Sequence, residues 1–472
     1  LIYKLYGPPG TGKTYRLINR AKAYVRLGVP LDKIGYFAFT RKAAEEARQR
    51  MPVEEKKLPF FQTLHAFAYH KLGLNEENIM QPFHYEDLGR MLNIKVSYVD
   101  KFNKEETHYL TNDNPYFQMI GRAINRDTTI REEYDRNEHD TKHIHWDTLK
   151  HIHDNLQEYK RSSKLQDFND IIKNVLSKDI NFEVVFIDEA QDLSPLQWKL
   201  YDKLKENSKD IYLAGDDDQA IFAWAGADVN RFINEPAKEK VLKYSKRISK
   251  AVQDESTVIV NRIMGQRKLK DYLPKSDEGE AFHINNISQV DLTKGKWLIL
   301  SRTKSNMLRI MDELRHKNLY YETNKGKSYK VKIYKAKRYY DEWKSGKELE
   351  EKNVKDVKEF TGDVSWDKTV SWYDAFVNAD VIEKNYIRQL LERRERLDEN
   401  ARIWVSTIHA IKGGEEDNVI LSLEQGDKIQ KAIKRSLDKQ DEEHRVWYVG
   451  ATRARHNLYK LKAKITRKGY QL

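Results

Sequence analysis

The chain contains no cysteine. Disulfides, thiolate zinc sites and cysteine nucleophiles are thereby excluded, and the composition suits a reducing cytosol. Long apolar runs are missing as well. None approaches the ~18 residues of a membrane span, and no secretory leader pattern is visible. The expected setting is cytoplasmic, in a bacterial or a virus-infected cell, with no membrane partner. Internal repeats and low-complexity tracts are absent. Leu1, not Met, opens the chain directly before an apolar-rich segment, and a preceding segment is expected.

Positive charge and aromatic residues are present in excess. Lys and Arg number 85 against 73 acidic residues, a formal net charge of +12 over 472 residues. That balance suits a polyanionic partner, although basic ribosomal and membrane-surface proteins share it. The 27 tyrosines and 9 tryptophans suit base stacking as well as core packing. The length allows about two to four domains.

Gly7-Pro8-Pro9-Gly10-Thr11-Gly12-Lys13-Thr14 completes a G-x-x-x-x-G-K-[ST] phosphate loop. The run Ile2–Tyr6 before it reads as a strand, and the stretch from Lys13 to about Val25 reads as a helix. Glycines let backbone N–H groups turn toward phosphates, Lys13 supplies positive charge, and the Thr14 hydroxyl can ligate Mg²⁺. The apolar run Val184–Ile187 ends in Asp188 and Glu189. The first carboxylate can hold Mg²⁺ and the second can act as general base, or the pair can simply open a helix. Beside a phosphate loop the chemical reading prevails. Asp216-Asp217-Asp218-Gln219 follows another strand. Three consecutive acids predict an exposed strand end, with Gln219 able to reach a γ-phosphate. Phe222 and Trp224 follow, either as base-stacking platforms or as core.

Further strands are expected at Ile34–Thr40, Asp210–Ala214, Thr257–Val260, Trp297–Ser301, Ile403–Ser406 and Asn418–Leu423. Their alternation with helical stretches predicts parallel α/β sheets. Residues 66–165 and 306–400 break the rhythm and read as mainly helical insertions. Within the second, Ser328–Tyr340 alternates basic and apolar residues, which predicts a strand with one basic face. It can touch duplex phosphates or stay an exposed face. His139, His143, His145, His151 and His153 crowd the first insertion. A charged helix face explains them as well as a metal site does.

Asp188–Asp192 and Gly215–Trp224 resemble the second and third motifs of UvrD/Rep-like helicases of superfamily 1, subtype A. Other segments resemble that family's motifs in order: Phe39–Ala44, Thr63–Phe67, Asp167–Asp170, Leu242–Arg247, Thr407–Glu415 and Glu442–Ala454. The resemblance covers nearly the whole chain. It implies two RecA-like P-loop cores with ATP between them. The first would comprise 1–65 and 166–235, the second 236–305 and 401–472, with 66–165 and 306–400 inserted. Lys13, Asp188, Glu189, Gln219, Arg247 and Arg453 would be catalytic, the two arginines acting as fingers from the second core. Gly10, Thr11, Gly12, Lys13 and Thr14 would hold phosphates, Thr14 and Asp188 the Mg²⁺, and Glu415 the ribose.

Phe39, Phe222 and Trp224 would stack on DNA bases, with Thr40, Thr63, His65, Thr407 and His409 near the backbone. Individually, Phe39, His65 and His409 also fit structural roles. Lys246 stands where the family has an aromatic, so base contact falls to Tyr15 or Arg16, and Ala225 replaces an arginine. A glutamine-bearing adenine-reading segment is expected upstream of Leu1, and no domain is visible after the last motif. The function implied is an ATP-dependent single-stranded DNA translocase and helicase, 3′→5′, acting at junctions of single- and double-stranded DNA through closure of its cores. The alternatives are an ATP-gated DNA-binding or protein-displacing module and an RNA-dependent P-loop ATPase.

Overall fold

The computed structural model describes residues 1–96, 114–136, 144–362 and 365–472. The chain divides into two compact units, one of residues 1–279 and 431–452, the other of residues 280–430 and 453–472.

The first unit is built on a six-stranded sheet of order β3-β2-β4-β5-β1-β6. Its strands are β1 (Ile2–Tyr6), β2 (Ile34–Phe37), β3 (Phe61–Gln62), β4 (Phe182–Ile187), β5 (Ser208–Gly215) and β6 (Lys238–Val241). Every pairing is parallel. Parallel sheets need cover on both faces, and two buried clusters provide it. One gathers Phe37, Phe67, Val185, Ile187, Leu200 and Leu213. The other gathers Leu17, Ile18, Tyr36, Val184, Phe186 and Ala214. Neighbouring residues of β4 thus serve opposite faces, as a two-residue period requires.

The second unit carries a seven-stranded sheet of order β10-β9-β11-β8-β12-β13-β7. Its strands are β7 (Glu280–Ile284), β8 (Trp297–Ser301), β9 (Tyr321–Thr323), β10 (Gly326–Lys327), β11 (Ile403–Thr407), β12 (Glu416–Ser422) and β13 (Ala454–Leu461). Only the β9–β10 pairing is antiparallel among the described pairs. Two parallel α/β cores accord with the fold class expected from the sequence.

Several boundaries differ from expectation. The helix Leu64–Lys71 buries Leu64, Phe67 and Ala68 in the first sheet's core, so the first insertion starts after it. That insertion has its own core around Leu88, Phe117, Ile120, Leu149 and Ile152. The helix Lys304–His316 and β9 pack on the second sheet through Ile310, Leu314 and Tyr321, so the second insertion starts after β10. Residues 236–279 and 431–452 belong to the first unit, not the second. For 236–279 the reason is strand pairing, since β6 adds to β1; for 431–452 it is the helix Leu437–Ala451, whose Asp441 accepts from the Met264 and Gly265 N–H groups.

Thr257–Val260 is helical, within Lys250–Val260. Its β-branched run resembles a strand, but Val252, Ser256, Ile259 and Val260 form one buried helical face. The basic strand expected at Ser328–Tyr340 is instead largely the helix Val331–Lys344. Its buried Ile333, Ala336 and Tyr340 recur at three to four residues, a helical period. Its cations are largely matched within the insertion: Lys332 faces Glu359, Lys335 Asp356, Lys337 Asp341 and Arg338 Asp398.

Candidate functional site

The phosphate loop leaves β1 with the Gly7 N–H donating to the Gly215 carbonyl at 3.0 Å. Two of its glycines admit close neighbours in different ways. A Cβ on Gly7 would meet Lys13 Cγ at 1.9 Å, and its absence lets Lys13 fold back and donate to the Gly7 carbonyl at 2.8 Å. Gly10 has φ +72°, and a Cβ there would meet Arg247 Cβ at 2.2 Å. Helix Lys13–Arg26 begins with no side-chain cap and no acid in its first turn. Its leading N–H groups and positive dipole end suit an anion.

Beside the loop, β4 delivers Asp188 and Glu189. Thr14 Oγ1 donates to Asp188 Oδ2 at 2.6 Å, and Asp188 Oδ1 accepts from the Glu189 N–H at 3.0 Å. Burial, then the charge of Glu189, pushes the Asp188 carboxyl up to about 6. Glu189 has left-handed backbone, φ 56° and ψ 40°. For a non-glycine residue that is a costly conformation of the kind found at functional sites. It sets the Glu189 carboxylate 3.6 Å from Lys13 Nζ. Gln191 then ties two motifs together: its Nε2 donates to Glu189 Oε2 at 2.7 Å, and its Oε1 accepts from the Asp216 N–H at 3.0 Å.

The acidic triplet is not exposed. Asp216, Asp217 and Asp218 are at most 1 % accessible. They tolerate burial because cations are buried with them. Lys270 Nζ lies 2.9, 2.5 and 2.8 Å from Asp216, Asp217 and Asp218, and Arg267 grips Asp218 through two 2.9 Å bonds. Gln219 Nε2 donates to Asp216 Oδ2 at 2.6 Å, so Gln219 connects through Asp216 and Gln191 to Glu189. Arg445, on the helix Leu437–Ala451, donates Nε to the Asp217 carbonyl at 3.0 Å.

Arg247 is carried by the first unit, not the second. β6 runs parallel to β1, and the Leu242 N–H donates to the Tyr6 carbonyl at 2.8 Å. Both strands therefore release their chains at the same sheet edge, and 242–247 lies along the phosphate loop. The Lys246 N–H donates to the Gly10 carbonyl at 2.9 Å, and Ser245 Oγ donates to the Pro9 carbonyl at 2.8 Å. Lys246 Nζ lies over the exposed Tyr15 ring, 5.9 Å from its centre. Arg16 is exposed on the same helix, and Thr11 is buried with Oγ1 donating to the Pro8 carbonyl at 2.7 Å.

The three candidate stacking aromatics differ. Phe222 is 2 % accessible and stacks on half-buried Phe39 at 5.1 Å between centroids, so it packs chiefly as core. Trp224 is 48 % exposed, 6.4 Å from the Phe222 ring. Its turn is held by the helical insertion, where Arg126 Nη2 donates to the Ala223 carbonyl at 3.3 Å and Asn125 Nδ2 to the Ala225 carbonyl at 3.4 Å. Thr40 and Thr63 cap helices, accepting from the Ala43 and Ala66 N–H groups. His65 is buried edge-on to the more exposed Phe168. Phe39, Thr63, His65 and Asp188 line one narrow crevice.

Four remaining candidates lie on the second unit or at its boundary. Thr407 Oγ1 accepts from the Ala410 N–H at 3.3 Å, and His409 follows in the same half-buried turn. Glu415 pairs with Arg455 at 3.2 Å. Arg453 is buried, with Nη1 donating to the Gly414 carbonyl at 3.3 Å.

The first-unit donor set fits a nucleotide triphosphate and a hard divalent cation. Loop N–H groups and an ammonium suit phosphate, and the converging Thr14 and Asp188 oxygens suit Mg²⁺. Among the described residues, no group of three or more His, Asp or Glu is arranged to hold a metal ion. His139 and His143 lie outside the described residues. The sequence reading missed Arg267 and Lys270, which sit in an ordinary-looking basic run, and gave Gln191 no role of its own. No helix among the described residues is long and apolar enough to cross a membrane.

Residues 3–241 match the UvrD/REP helicase N-terminal domain, and residues 220–464 match the UvrD-like helicase C-terminal domain. The ATP-dependent DNA helicase PcrA of Leuconostoc citreum is 24% identical over 352 residues, 66% of this chain and 46% of that protein. The ATP-dependent DNA helicase Rep of Buchnera aphidicola subsp. Baizongia pistaciae is 26% identical over 249 residues, 47% of this chain and 34% of that protein. The putative ATP-dependent DNA helicase YjcD of Bacillus subtilis is 24% identical over 242 residues, 46% of this chain and 30% of that protein. The chain thus spans less than half the length of these curated relatives. Each family match covers about half of the sequence, and together they run through both units and carry the motifs whose geometry is given above: the chain belongs to the UvrD/Rep helicase family.

Proposed function

We propose that the chain is an ATP-hydrolysing translocase and helicase that moves 3′→5′ along single-stranded DNA and opens duplex at junctions. One observation supports this most. The single loop 215–226 carries both Gln219, bonded into the Glu189 network through Asp216 and Gln191, and the exposed Trp224. A nucleotide-sensing amide and a base-sized aromatic surface thus share one short piece of backbone. The net charge of +12 adds attraction to a phosphate backbone.

The N–H groups of Gly10, Thr11 and Gly12 and the Lys13 ammonium hold phosphate oxygens. Thr14 and Asp188 hold the cation, and Glu415, Tyr15 and Arg16 serve the nucleoside. Mg²⁺-ATP, when bound, supplies the phosphoanhydride whose cleavage drives the motor. Glu189 accepts the proton of the attacking water, its carboxylate aimed by Gln191. Gln219 reads the terminal phosphate, and Arg247 and Arg453 offset the charge that develops there. Trp224, backed by Phe39 and Phe222, stacks on bases. Thr40, Thr63, His65, Thr407 and His409 meet the strand backbone.

ATP turnover measured alone, with single-stranded DNA and with single-stranded RNA tests the reading. Strong stimulation by DNA is expected. Stimulation by RNA alone, or by neither, would overturn it.

A further inference from the structure

Lys270 lies in the irregular stretch between the helix Lys250–Val260 and β7, apart from the motifs that mark the site. Its side chain is 2 % accessible, and its ammonium touches all three carboxylates of the buried triplet at 2.5–2.9 Å. The other oxygens of the triplet are also engaged. Asp217 Oδ2 accepts from the Lys268 N–H at 2.8 Å. Asp218 takes the two Arg267 bonds. Asp216 Oδ2 accepts the Gln219 amide at 2.6 Å, and its Oδ1 faces Lys270 at 2.9 Å.

We propose that Lys270 is a positioning residue for ATP hydrolysis, fixing the Gln219 amide through Asp216. Three adjacent carboxylates repel one another, and the two cations leave the cluster one negative charge in excess. Asp216 is therefore both held in place and a strong acceptor. An amide nitrogen carries two donors in one plane. Anchoring one on Asp216 sets the direction of the other. The same aspartate donates its N–H to Gln191, which aims Glu189. Without the ammonium, the Asp216 and Asp217 charges lose their common partner inside a buried cluster, and the turn must open or rearrange. Gln219 then loses a fixed acceptor, while the phosphate loop, bonded to Gly215 at its start, keeps its bonds to Ser245 and Lys246 and the Thr14–Asp188 bond. The proposal rests on the reading of Gln219 as the phosphate sensor.

Turnover and nucleotide affinity are measured for Gln219→Ala, Lys270→Met, their double variant, Lys270→Arg, and the charge-matched pair Lys270→Met with Asp217→Asn. The pair keeps the cluster's net charge but removes the Asp216 contact, so it reports even where Lys270→Met alone does not fold. Lys270→Met is expected to lower kcat about as far as Gln219→Ala, by ~10²-fold, with nucleotide affinity unchanged. The double variant should fall no further than Gln219→Ala alone. Lys270→Arg should recover part of the rate, and the charge-matched pair should melt near wild type yet stay slow. Additive losses, or wild-type turnover in the charge-matched pair, would make Lys270 a stability residue only. Wild-type turnover in Gln219→Ala would instead remove the phosphate-sensor reading, and the positioning role with it.

Discussion

Thr14 Oγ1 donates to Asp188 Oδ2 at 2.6 Å, joining positions 174 residues apart in the chain. The bond ties the first turn after the phosphate loop to the end of β4, so the two oxygen ligands suited to a cation are assembled by the fold alone. Glu189 is set apart from them by its left-handed backbone and by Gln191.

Glu189→Gln separates the base from the binding groups. The variant keeps Lys13, Thr14 and Asp188, so nucleotide affinity should stay near wild type while kcat falls by ~10²–10⁴-fold. Equilibrium binding of a fluorescent ATP analogue, alongside steady-state turnover, checks this. Equal loss of both would make Glu189 a phosphate-loop partner only.

Arg247→Ala and Arg453→Ala should each retain nucleotide binding yet lose turnover by about 10³-fold or more. Arg247 stands beside Gly10 on the first unit, so its effect should persist without DNA. Turnover preserved at saturating ATP, with affinity alone reduced, would reduce both to ground-state ligands.

Gly10→Ala should cost ~1–2 kcal/mol from its left-handed backbone, with further loss because the new Cβ meets Arg247 Cβ at 2.2 Å. Thermal unfolding and ATP affinity should both fall. At Gly28, also left-handed but with nothing within 4 Å of a Cβ, the same change should lower stability and leave ATP affinity intact.

Much of this site was legible in the sequence because its elements are local. The phosphate loop is one continuous motif, and β4 is an uninterrupted apolar run ending in two acids. Neutralisation at a distance was not legible. Asp217 is buried because Lys270, 53 positions later, is buried with it, and no local pattern marks that pairing. Thr257–Val260 and Ser328–Tyr340 misled because short β-branched or alternating runs mimic strands, while the faces that pack recur at helical spacing. The packing of 242–247 along the phosphate loop was not legible either, because pairing of β6 with β1 depends on sheet order, which composition does not encode.

Phe222 and Trp224 should part company on mutation. Phe222→Ala empties a buried position and should destabilise the fold by ~3–5 kcal/mol. Trp224→Ala removes a half-exposed ring and should leave melting and basal turnover nearly unchanged while DNA stimulation is lost. Stacking is worth ~1–3 kcal/mol per base, so single-strand affinity should fall modestly. Undiminished stimulation in Trp224→Ala would remove this tryptophan from the strand-moving machinery.

The most direct measurement is strand displacement on duplexes carrying a 3′ or a 5′ single-stranded tail, with Mg²⁺-ATP or a non-hydrolysable analogue. Unwinding of the 3′-tailed substrate with ATP, and of neither substrate with the analogue, is the expected result. Unwinding from the 5′ tail alone would contradict the direction, and DNA-stimulated hydrolysis without displacement of either strand would contradict the helicase itself.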